Sequence, residues 1–264
     1  MEREETLALP KLSRPLKEFP VARSKWAVAA FAIALSFIAS LLAAGRISAA
    51  EPRQVRLFIL SGQSNMARFD PDLSFTPALK KAFPDDEVIV VKSAQGGQPI
   101  RRWYKNWKAP ANVKVKLRPG ETANGDLYEV LMKKVHAAMD RKTIDSVIFV
   151  WMQGESDAQT GLAPVYEESL RGLIKQMRDD LKRPDLSVVV GRLSDHKNGT
   201  SGWDAVRAAQ EEVAKEDRHA AWVDTDDLNG EQNALHYNRA GYIELGRRFA
   251  GKSVELLTMK RANP

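Results

Sequence analysis

The chain has 264 residues, of which 44% are hydrophobic, and this is enough to build one α/β domain around a full core. It contains no cysteine, which excludes disulfides, thiol nucleophiles and cysteine-ligated metal sites. The formal net charge of +6 comes from 40 basic and 34 acidic residues that form no tract, so the charge balance does not indicate a nucleic-acid partner.

The first fifty residues differ in character from the rest of the chain. Residues 26–45 form an uncharged apolar run that is preceded by basic residues and followed by the small residues Ser48 and Ala50. The run is long enough to span a bilayer, so one interpretation is an uncleaved membrane anchor. The small residues fit a signal-peptidase site and favour a cleaved signal peptide. In either case residues 1–50 are predicted to direct export of residues 51–264, giving a secreted or periplasmic protein.

Predicted strands and helices alternate throughout the exported part. The strands are predicted at residues 54–60, 87–91, 144–151, 186–190 and 221–223. The helices are predicted at residues 77–83, 126–142, 164–182, 203–215 and 241–257. Such alternation predicts a parallel five-stranded sheet covered by helices on both faces. No internal repeat or Gly/Ser-rich linker interrupts the pattern, so one domain is predicted.

A serine follows the first predicted strand at a position suited to chemistry. Gly62 allows a sharp turn after the apolar strand, and Ser64 then begins a helix or helical turn. In an open α/β sheet, ligands bind at the carboxyl ends of the strands. Ser64 could therefore be a hydrolase nucleophile, although the Gly-x-Ser-x-Gly motif is absent, or it could simply cap the helix.

A basic aromatic stretch, Arg101–Lys108, follows the second predicted strand and its double glycine. Its rings, Trp103, Tyr104 and Trp107, stand among four cationic side chains. Such rings could stack on sugars or bases, or they could cover the edge of the core. Residues 101–108 alone do not decide between these interpretations.

Further polar residues lie after the other predicted strands. Gly97 follows the second strand, Gln153 and Glu155 follow the third, and His236 lies beyond the fifth. Because the carboxyl ends of parallel strands share one edge, these residues are expected to lie near Ser64. Ester hydrolysis uses such a set: a histidine takes the proton of the serine, a carboxylate orients the histidine, and amide groups stabilise the oxyanion.

Four blocks of the sequence resemble those of the SGNH hydrolase superfamily. They are Gly62-Gln63-Ser64-Asn65-Met66, Gly96-Gly97-Gln98-Pro99-Ile100, Trp151-Met152-Gln153-Gly154-Glu155-Ser156-Asp157 and Leu235-His236-Tyr237-Asn238. The resemblance is closest to the sialate O-acetylesterase-like branch, which includes the acetylxylan esterases of carbohydrate esterase family 6. It covers Val55 to Phe249. It implies a flavodoxin-like, three-layer α/β/α fold and deacetylation of carbohydrates without a metal or another cofactor.

The resemblance also implies a role for each candidate residue. Ser64 would be the nucleophile, and His236 would be the general base. The backbone amides of Ser64 and Gly97 and the side chain of Gln153 would form the oxyanion hole. Glu155 would be the acid of the catalytic triad.

Two positions depart from the pattern of the superfamily. Many members carry an aspartate three residues before the histidine, but here that position is Asn233, which cannot hold a negative charge. The acid is therefore assigned to Glu155, with a dyad that lacks an acid, or help from Asp226 or Asp227, as alternatives. In addition, Arg68 stands where relatives usually have a glycine, which leaves the nearby loop and the substrate preference open.

The predicted partner is an acetylated carbohydrate, such as acetylxylan. Nucleic acid is not predicted as a partner, and the membrane is expected only through an uncleaved N-terminal segment. Two alternatives remain at this point. The same residues could act on a sialic acid, peptidoglycan or pectin acetyl group, or the chain could be a carbohydrate-binding protein whose chemistry has decayed, an idea supported by Asn233.

Overall fold

The computed structural model describes residues 53–111, 113–115, 117 and 120–262 of the chain. Pro52–Pro264 forms one compact unit. The predicted signal or anchor segment, residues 26–45, lies outside the described residues. Within the part of the chain that is described, no helix combines the length and apolar character needed to cross a membrane.

In the described part of the chain, five strands form one parallel sheet, as predicted. They are β1 (Val55–Gly62), β2 (Glu87–Ala94), β3 (Ser146–Met152), β4 (Ser187–Gly191) and β5 (Ala220–Val223). Their order across the sheet is β2-β1-β3-β4-β5, and every neighbouring pair is parallel. The carboxyl ends of β1 and β3 therefore lie side by side in the middle of the sheet, with Gly62 in register with Met152.

The described residues contain seven α-helices. They are α1 (Ser64–Arg68), α2 (Phe75–Ala82), α3 (Asp126–Met139), α4 (Glu155–Gln159), α5 (Tyr166–Leu181), α6 (Ser201–Glu216) and α7 (Arg239–Ala262). Short 3₁₀ turns lie at Pro71–Leu73, Ile100–Arg102, Ala163–Val165 and Asp195–Lys197. Helices α3, α5 and α6 pack on one face of the sheet, and α2 and α7 pack on the other. This is the predicted three-layer arrangement.

The position of β1 inside the sheet, with helices on both faces, explains why its sequence is apolar on both faces. Leu57 and Ile59 of β1 face the core beneath α3, α5 and α6. Phe58 and Leu60 face the opposite core beneath α2 and α7. Successive side chains of a strand point to opposite faces, so a strand that is covered on both sides must be apolar at every position. The run that predicted β1 thus also predicted its central place.

The basic aromatic stretch covers the edge of the core. Trp103 is only 1% exposed, and its ring packs edge-on against that of Trp151 at a centroid distance of 5.2 Å. Arg102 donates to both carboxylate oxygens of Asp126, at 2.5 and 2.7 Å. Trp107 is buried as well. The two buried tryptophan rings do not offer a face on which a sugar or base could stack, and Tyr104 is partly buried against the same core.

Gly62 is the position where the fold most clearly requires a glycine. Its φ of 144° lies in the region that side chains rarely adopt, and a Cβ atom there would lie 1.9 Å from the carbonyl oxygen of Met152. The next residue donates its N–H to that same oxygen at 2.9 Å. This close approach of β1 to β3 sets the direction in which the chain enters α1.

We expect Gly62→Ala to lower the free energy of unfolding by about 3 kcal/mol or more, because the clash is with backbone and cannot be relieved by a rotamer change. Gly251→Ala is the matched control. Gly251 lies in α7, where an added Cβ atom would meet nothing within 4 Å, so alanine is expected to stabilise the helix by about 1 kcal/mol. Urea unfolding followed by circular dichroism measures both changes, and equal midpoints for the two variants would contradict this account.

Candidate active site

Ser64 and His236 meet at the carboxyl edge of the sheet. Ser64 is the first residue of α1 and follows β1 after a single intervening residue, whereas His236 lies in the segment between β5 and α7. The Nε2 atom of His236 is 3.0 Å from the Oγ atom of Ser64, which is hydrogen-bond distance. The two residues are 172 positions apart in the sequence, and the fold brings them together as predicted.

These two side chains line an open pocket of about 550 Å³. The pocket is lined by Gln63, Ser64, Ala67, Arg68, Gly96, Gly97, Glu155, Ser156, Gln159, Thr160, Leu235 and His236. Four of the five predicted site residues are among them, and Gln153 is not. The pocket is therefore built from the ends of β1, β2 and β3 together with the segment that carries His236.

The loop after β2 packs directly against the serine. The position of a Cβ atom on Gly96 would be 3.6 Å from the Cβ atom of Ser64, so the backbone of this loop passes close to the nucleophile candidate. Gly97 has a φ of 69°, in the left-handed region that favours glycine. The double glycine is thus explained by a turn that places its backbone at the pocket.

Glu155 contacts Asn65 and not His236. The Oε1 atom of Glu155 accepts a hydrogen bond of 2.9 Å from the side-chain amide of Asn65, and the carboxylate is only 2% exposed. None of the hydrogen bonds among the described residues joins Glu155 to His236. The expected direct contact between acid and histidine is therefore absent, and the role of Glu155 as the triad acid stays a prediction.

Asn65 connects this carboxylate to the histidine segment. Its amide also donates to the carbonyl oxygen of Leu235 at 3.2 Å, next to His236 in the chain. Its own side-chain oxygen accepts a hydrogen bond of 3.0 Å from the hydroxyl of Tyr242 in α7. Asn65 thus links α1, α4, α7 and the segment before His236. The hydrogen-bond partners of its side chain lie at least 90 positions away in the sequence. The motif that contains Asn65 therefore gave no indication that this residue links the four segments.

Helix α4 contains two buried carboxylates, Glu155 and Asp157. Burial raises the pKa of Glu155 to about 7, with a further increase from the negative charge of Asp157. Burial likewise raises the pKa of Asp157 to about 7, against the lowering effect of its hydrogen bond from Gln153. Burial thus favours the neutral form of both carboxyl groups.

Gln153 is held away from the pocket. It is fully buried, and its Nε2 atom donates to Asp157 at 2.6 Å and to the carbonyl oxygen of Gln98 at 3.0 Å. Both amide hydrogens thus already have acceptors. These contacts do not test whether the side chain can reach an oxyanion, so its role as a donor stays a prediction.

His236 has no carboxylate partner among the described residues. Burial lowers its pKa, and the positive charges of Arg68 and His196 lower it further. Three positions before His236, the side-chain oxygen of Asn233 accepts a hydrogen bond from the side-chain amide of Asn229 at 2.8 Å. The Nδ1 atom of His196 lies 2.5 Å from the carbonyl oxygen of Asn233. The observed arrangement is a serine–histidine pair.

The two other candidate acids are engaged elsewhere. Asp226 binds Arg207 through two hydrogen bonds of 2.6 and 2.9 Å. Asp227 binds Arg248 through two hydrogen bonds of 2.6 Å each. Among the residues that the structure describes, no group of three or more His, Asp or Glu residues is placed to hold a metal ion.

Comparison with protein families shows to which family the chain belongs. The family described as carbohydrate esterase, sialic acid-specific acetylesterase, abbreviated SASA, matches residues 66–255. The chain belongs to this family. The match includes Gln153, Glu155 and His236 and begins two residues after Ser64.

One curated relative of this SASA-family chain is a protein of Arabidopsis thaliana described as a probable carbohydrate esterase. It is 26% identical over 184 residues, a match that covers 68% of this chain and 61% of the relative. The chain thus matches less than two thirds of that relative's length.

Solved structures share the fold. The structure of the same Arabidopsis thaliana protein superimposes with a TM-score of 0.58 at 20% identity, covering 77% of this chain and 99% of the solved chain. A carbohydrate acetylesterase from Xanthomonas citri gives a TM-score of 0.50 at 19% identity, covering 75% of this chain and 55% of the solved chain. At such identities the likeness concerns the fold, and it confirms the predicted SGNH hydrolase-like α/β architecture.

Proposed function

We propose that this SASA-family chain is a serine esterase that removes O-acetyl groups from carbohydrates through an acyl-enzyme. The observation that carries the proposal is the 3.0 Å contact between Ser64 Oγ and His236 Nε2 in an open pocket at the carboxyl edge of the sheet. Membership of a carbohydrate esterase family supports the choice of substrate class.

The first half of the reaction forms an acetyl-serine. Ser64 Oγ attacks the acetyl carbonyl carbon while its proton passes to Nε2 of His236, so a tetrahedral oxyanion forms. His236 then gives this proton to the sugar oxygen as the ester bond breaks, and the sugar leaves as an alcohol. In the second half, His236 takes a proton from water, the resulting hydroxide attacks the acetyl-serine, and acetate leaves as Ser64 regains its proton.

The backbone amides of Ser64 and Gly97 are the proposed donors to the oxyanion. Both residues line the pocket, and the glycine loop lies against Ser64. One donor of this kind typically lowers the barrier by about 3 kcal/mol. Gln153 is the third proposed donor, and it would have to exchange its bond to Asp157 or to Gln98 for one to substrate.

Glu155 is proposed to act on His236 through Asn65. The carboxylate holds the Asn65 amide, and this amide also holds the carbonyl oxygen next to His236. Glutamine at position 155 keeps an acceptor for Asn65 but removes the negative charge. We therefore expect Glu155→Gln to lower kcat by less than about 10-fold, and Asn65→Ala, which breaks the link, to lower it by about 100-fold.

Steady-state kinetics on a small aryl acetate separate the two possible roles of Glu155. Tyr242→Phe, which removes one bond to Asn65 and leaves the others, is the graded control. A loss of about 1000-fold or more in Glu155→Gln, with normal folding, would show that the negative charge itself is required. Glu155 would then be the triad acid that the family resemblance implies.

The experiment that tests the proposal is acetate release by the full chain from an aryl acetate and a panel of acetylated glycans. The panel contains acetylated xylan, pectin, peptidoglycan and sialic acid, because the family description alone does not decide among them. The proposal predicts activity on the aryl acetate and on at least one glycan. A folded protein that releases acetate from none of them would overturn it and favour a carbohydrate-binding role.

We also propose that residues 1–50 export the esterase domain, on the basis of the apolar run at residues 26–45 and the small residues that follow it. Cell fractionation and sequencing of the mature amino terminus test this. A mature chain that starts at Glu51 would support a cleaved signal peptide, and an intact chain in the membrane fraction would support an anchor. Recovery of the intact chain in the soluble cytoplasmic fraction would overturn the proposal.

A further inference from the structure

Arg68 is a cation without a partner, among the described residues, at the edge of the catalytic pocket. It is the last residue of α1, four positions after Ser64, and residues at this spacing lie on the same face of a helix. Its side chain is exposed and lines the pocket together with Ser64 and His236. It makes no hydrogen bond or ion pair with any residue that the structure describes.

Several other arginines of the domain have carboxylate partners. Carboxylates of the chain itself bind Arg56, Arg102, Arg192, Arg207 and Arg248. The guanidinium group matches a carboxylate in geometry as well as in charge, because its planar N–H groups donate to both oxygens at once. Arg68, by contrast, has no carboxylate partner among the described residues.

The backbone around Arg68 is held in place. The Nζ atom of Lys92 in β2 donates to the carbonyl oxygen of Ala67 at 3.2 Å and also to that of Phe69. These are the two residues that flank Arg68. The side chain therefore starts from a fixed point at the pocket, and its charge acts inside the site, because it contributes to lowering the pKa of His236.

The pocket offers little negative charge to neutralise this arginine. Glu155 is the carboxylate among the lining residues, and it is buried and bonded to Asn65. Next to the pocket, Lys197 donates to the side chain of the lining residue Gln159 at 3.0 Å, which adds a second cation nearby. An anionic ligand would complement this rim.

We propose that Arg68 binds the carboxylate of an acidic sugar whose acetyl ester lies in front of Ser64. The inference rests on the proposed esterase function and narrows its substrate class to O-acetylated sugars that bear a carboxylate, in preference to neutral glycans such as xylan. Uronic acids and sialic acids share this chemistry. Their carboxylate would form the bidentate pair with Arg68 while the acetyl group reaches the serine–histidine pair.

The test compares each acetylated acidic sugar with its own carboxyl methyl ester. The first pair is acetylated oligogalacturonate and its methyl ester, and the second is O-acetyl-N-acetylneuraminic acid and its methyl ester. Acetate release by the full chain is measured for each substrate. We expect kcat/KM to favour the free acid by about 10-fold or more, mainly through KM, and high salt to reduce the ratio. The pair with the larger ratio identifies the source of the carboxylate.

Variants at position 68 assign the preference. Arg68→Ala is expected to bring the ratio of free acid to methyl ester close to one, and Arg68→Lys to keep part of it, because lysine retains the charge but not the planar pair of donors. A general change in activity alters kcat/KM for the free acid and for the methyl ester by the same factor, so it leaves their ratio unchanged. Arg247→Ala, which removes an exposed arginine of α7 that does not line the pocket, should keep the full ratio.

A binding measurement separates this inference from the proposed function. Ser64→Ala protein is titrated by calorimetry with each free acid and its methyl ester, with and without Arg68→Ala. Tighter binding of the free acid that disappears with Arg68 supports the inference even if turnover is absent. Equal binding and equal kcat/KM for acid and ester would overturn it, while activity on the aryl acetate would leave the esterase proposal standing.

Discussion

Ser64→Ala is expected to reduce acetate release from an aryl acetate by about 10⁴-fold or more. Alanine has no group that can attack the acetyl carbonyl, so the acyl-enzyme cannot form. The fold should survive, because the side chain of Ser64 is only half-buried and its one side-chain hydrogen bond among the described residues is to His236. Rates are measured beside circular dichroism and urea unfolding of both proteins.

The control and the covalent intermediate make this prediction sharper. Ser201→Ala removes an exposed serine at the start of α6 and should keep the activity of the parent protein. Rapid acid quenching during turnover, followed by peptide mass spectrometry, should find acetyl on the peptide that contains Ser64. Retention of parental activity in folded Ser64→Ala protein would refute the assignment of the nucleophile.

His236→Ala is expected to cost about 10³- to 10⁴-fold in kcat. Without the imidazole, Ser64 loses the base that takes its proton and the acid that protonates the leaving sugar. No carboxylate among the described residues replaces the ring, since Asp226 and Asp227 are bound to arginines. His196→Ala, which removes the histidine that contacts Asn233, should have a much smaller effect.

The pH dependence of kcat/KM gives an independent check on His236. The reaction needs the neutral imidazole, so activity is lost as pH falls through the pKa of this histidine. Burial and the charges of Arg68 and His196 lower that pKa, so the midpoint of the acid limb is expected below 6.5. Arg68→Ala removes one of these charges and should move the midpoint to higher pH. A midpoint well above 6.5 in the parent protein would indicate a carboxylate partner for the histidine.

The strands were predictable because their sequences carry a strong signal. β1, β3 and β4 are buried on both faces and read as apolar runs, and each predicted strand overlaps the observed one. The ends of the elements were less accurate. The last helix, predicted at residues 241–257, extends over Arg239–Ala262, because local sequence near helix ends does not report the tertiary packing that extends the helix.

The sequence identified Ser64 and His236 correctly as neighbours, because residues that follow parallel strands must meet at one edge of the sheet. It placed Glu155 and Gln153 at the same edge, but it could not determine what these side chains contact. Glu155 is held by Asn65, and Gln153 by Asp157. The position of a residue along the chain determines where it lies in the fold, whereas the direction of a buried side chain depends on which hydrogen-bond partner satisfies it.

The sequence by itself therefore determined the three-layer fold and the proximity of Ser64 and His236 at the carboxyl edge of the sheet. These follow from hydrophobic periodicity and strand order, which are properties of local sequence and simple topology. The tertiary structure alone decided that the aromatic stretch is core, that Asn65 links Glu155 to the histidine segment, and that Arg68 has no partner among the described residues. Each of these depends on the burial and pairing of side chains far apart in the chain, and no local pattern encodes them.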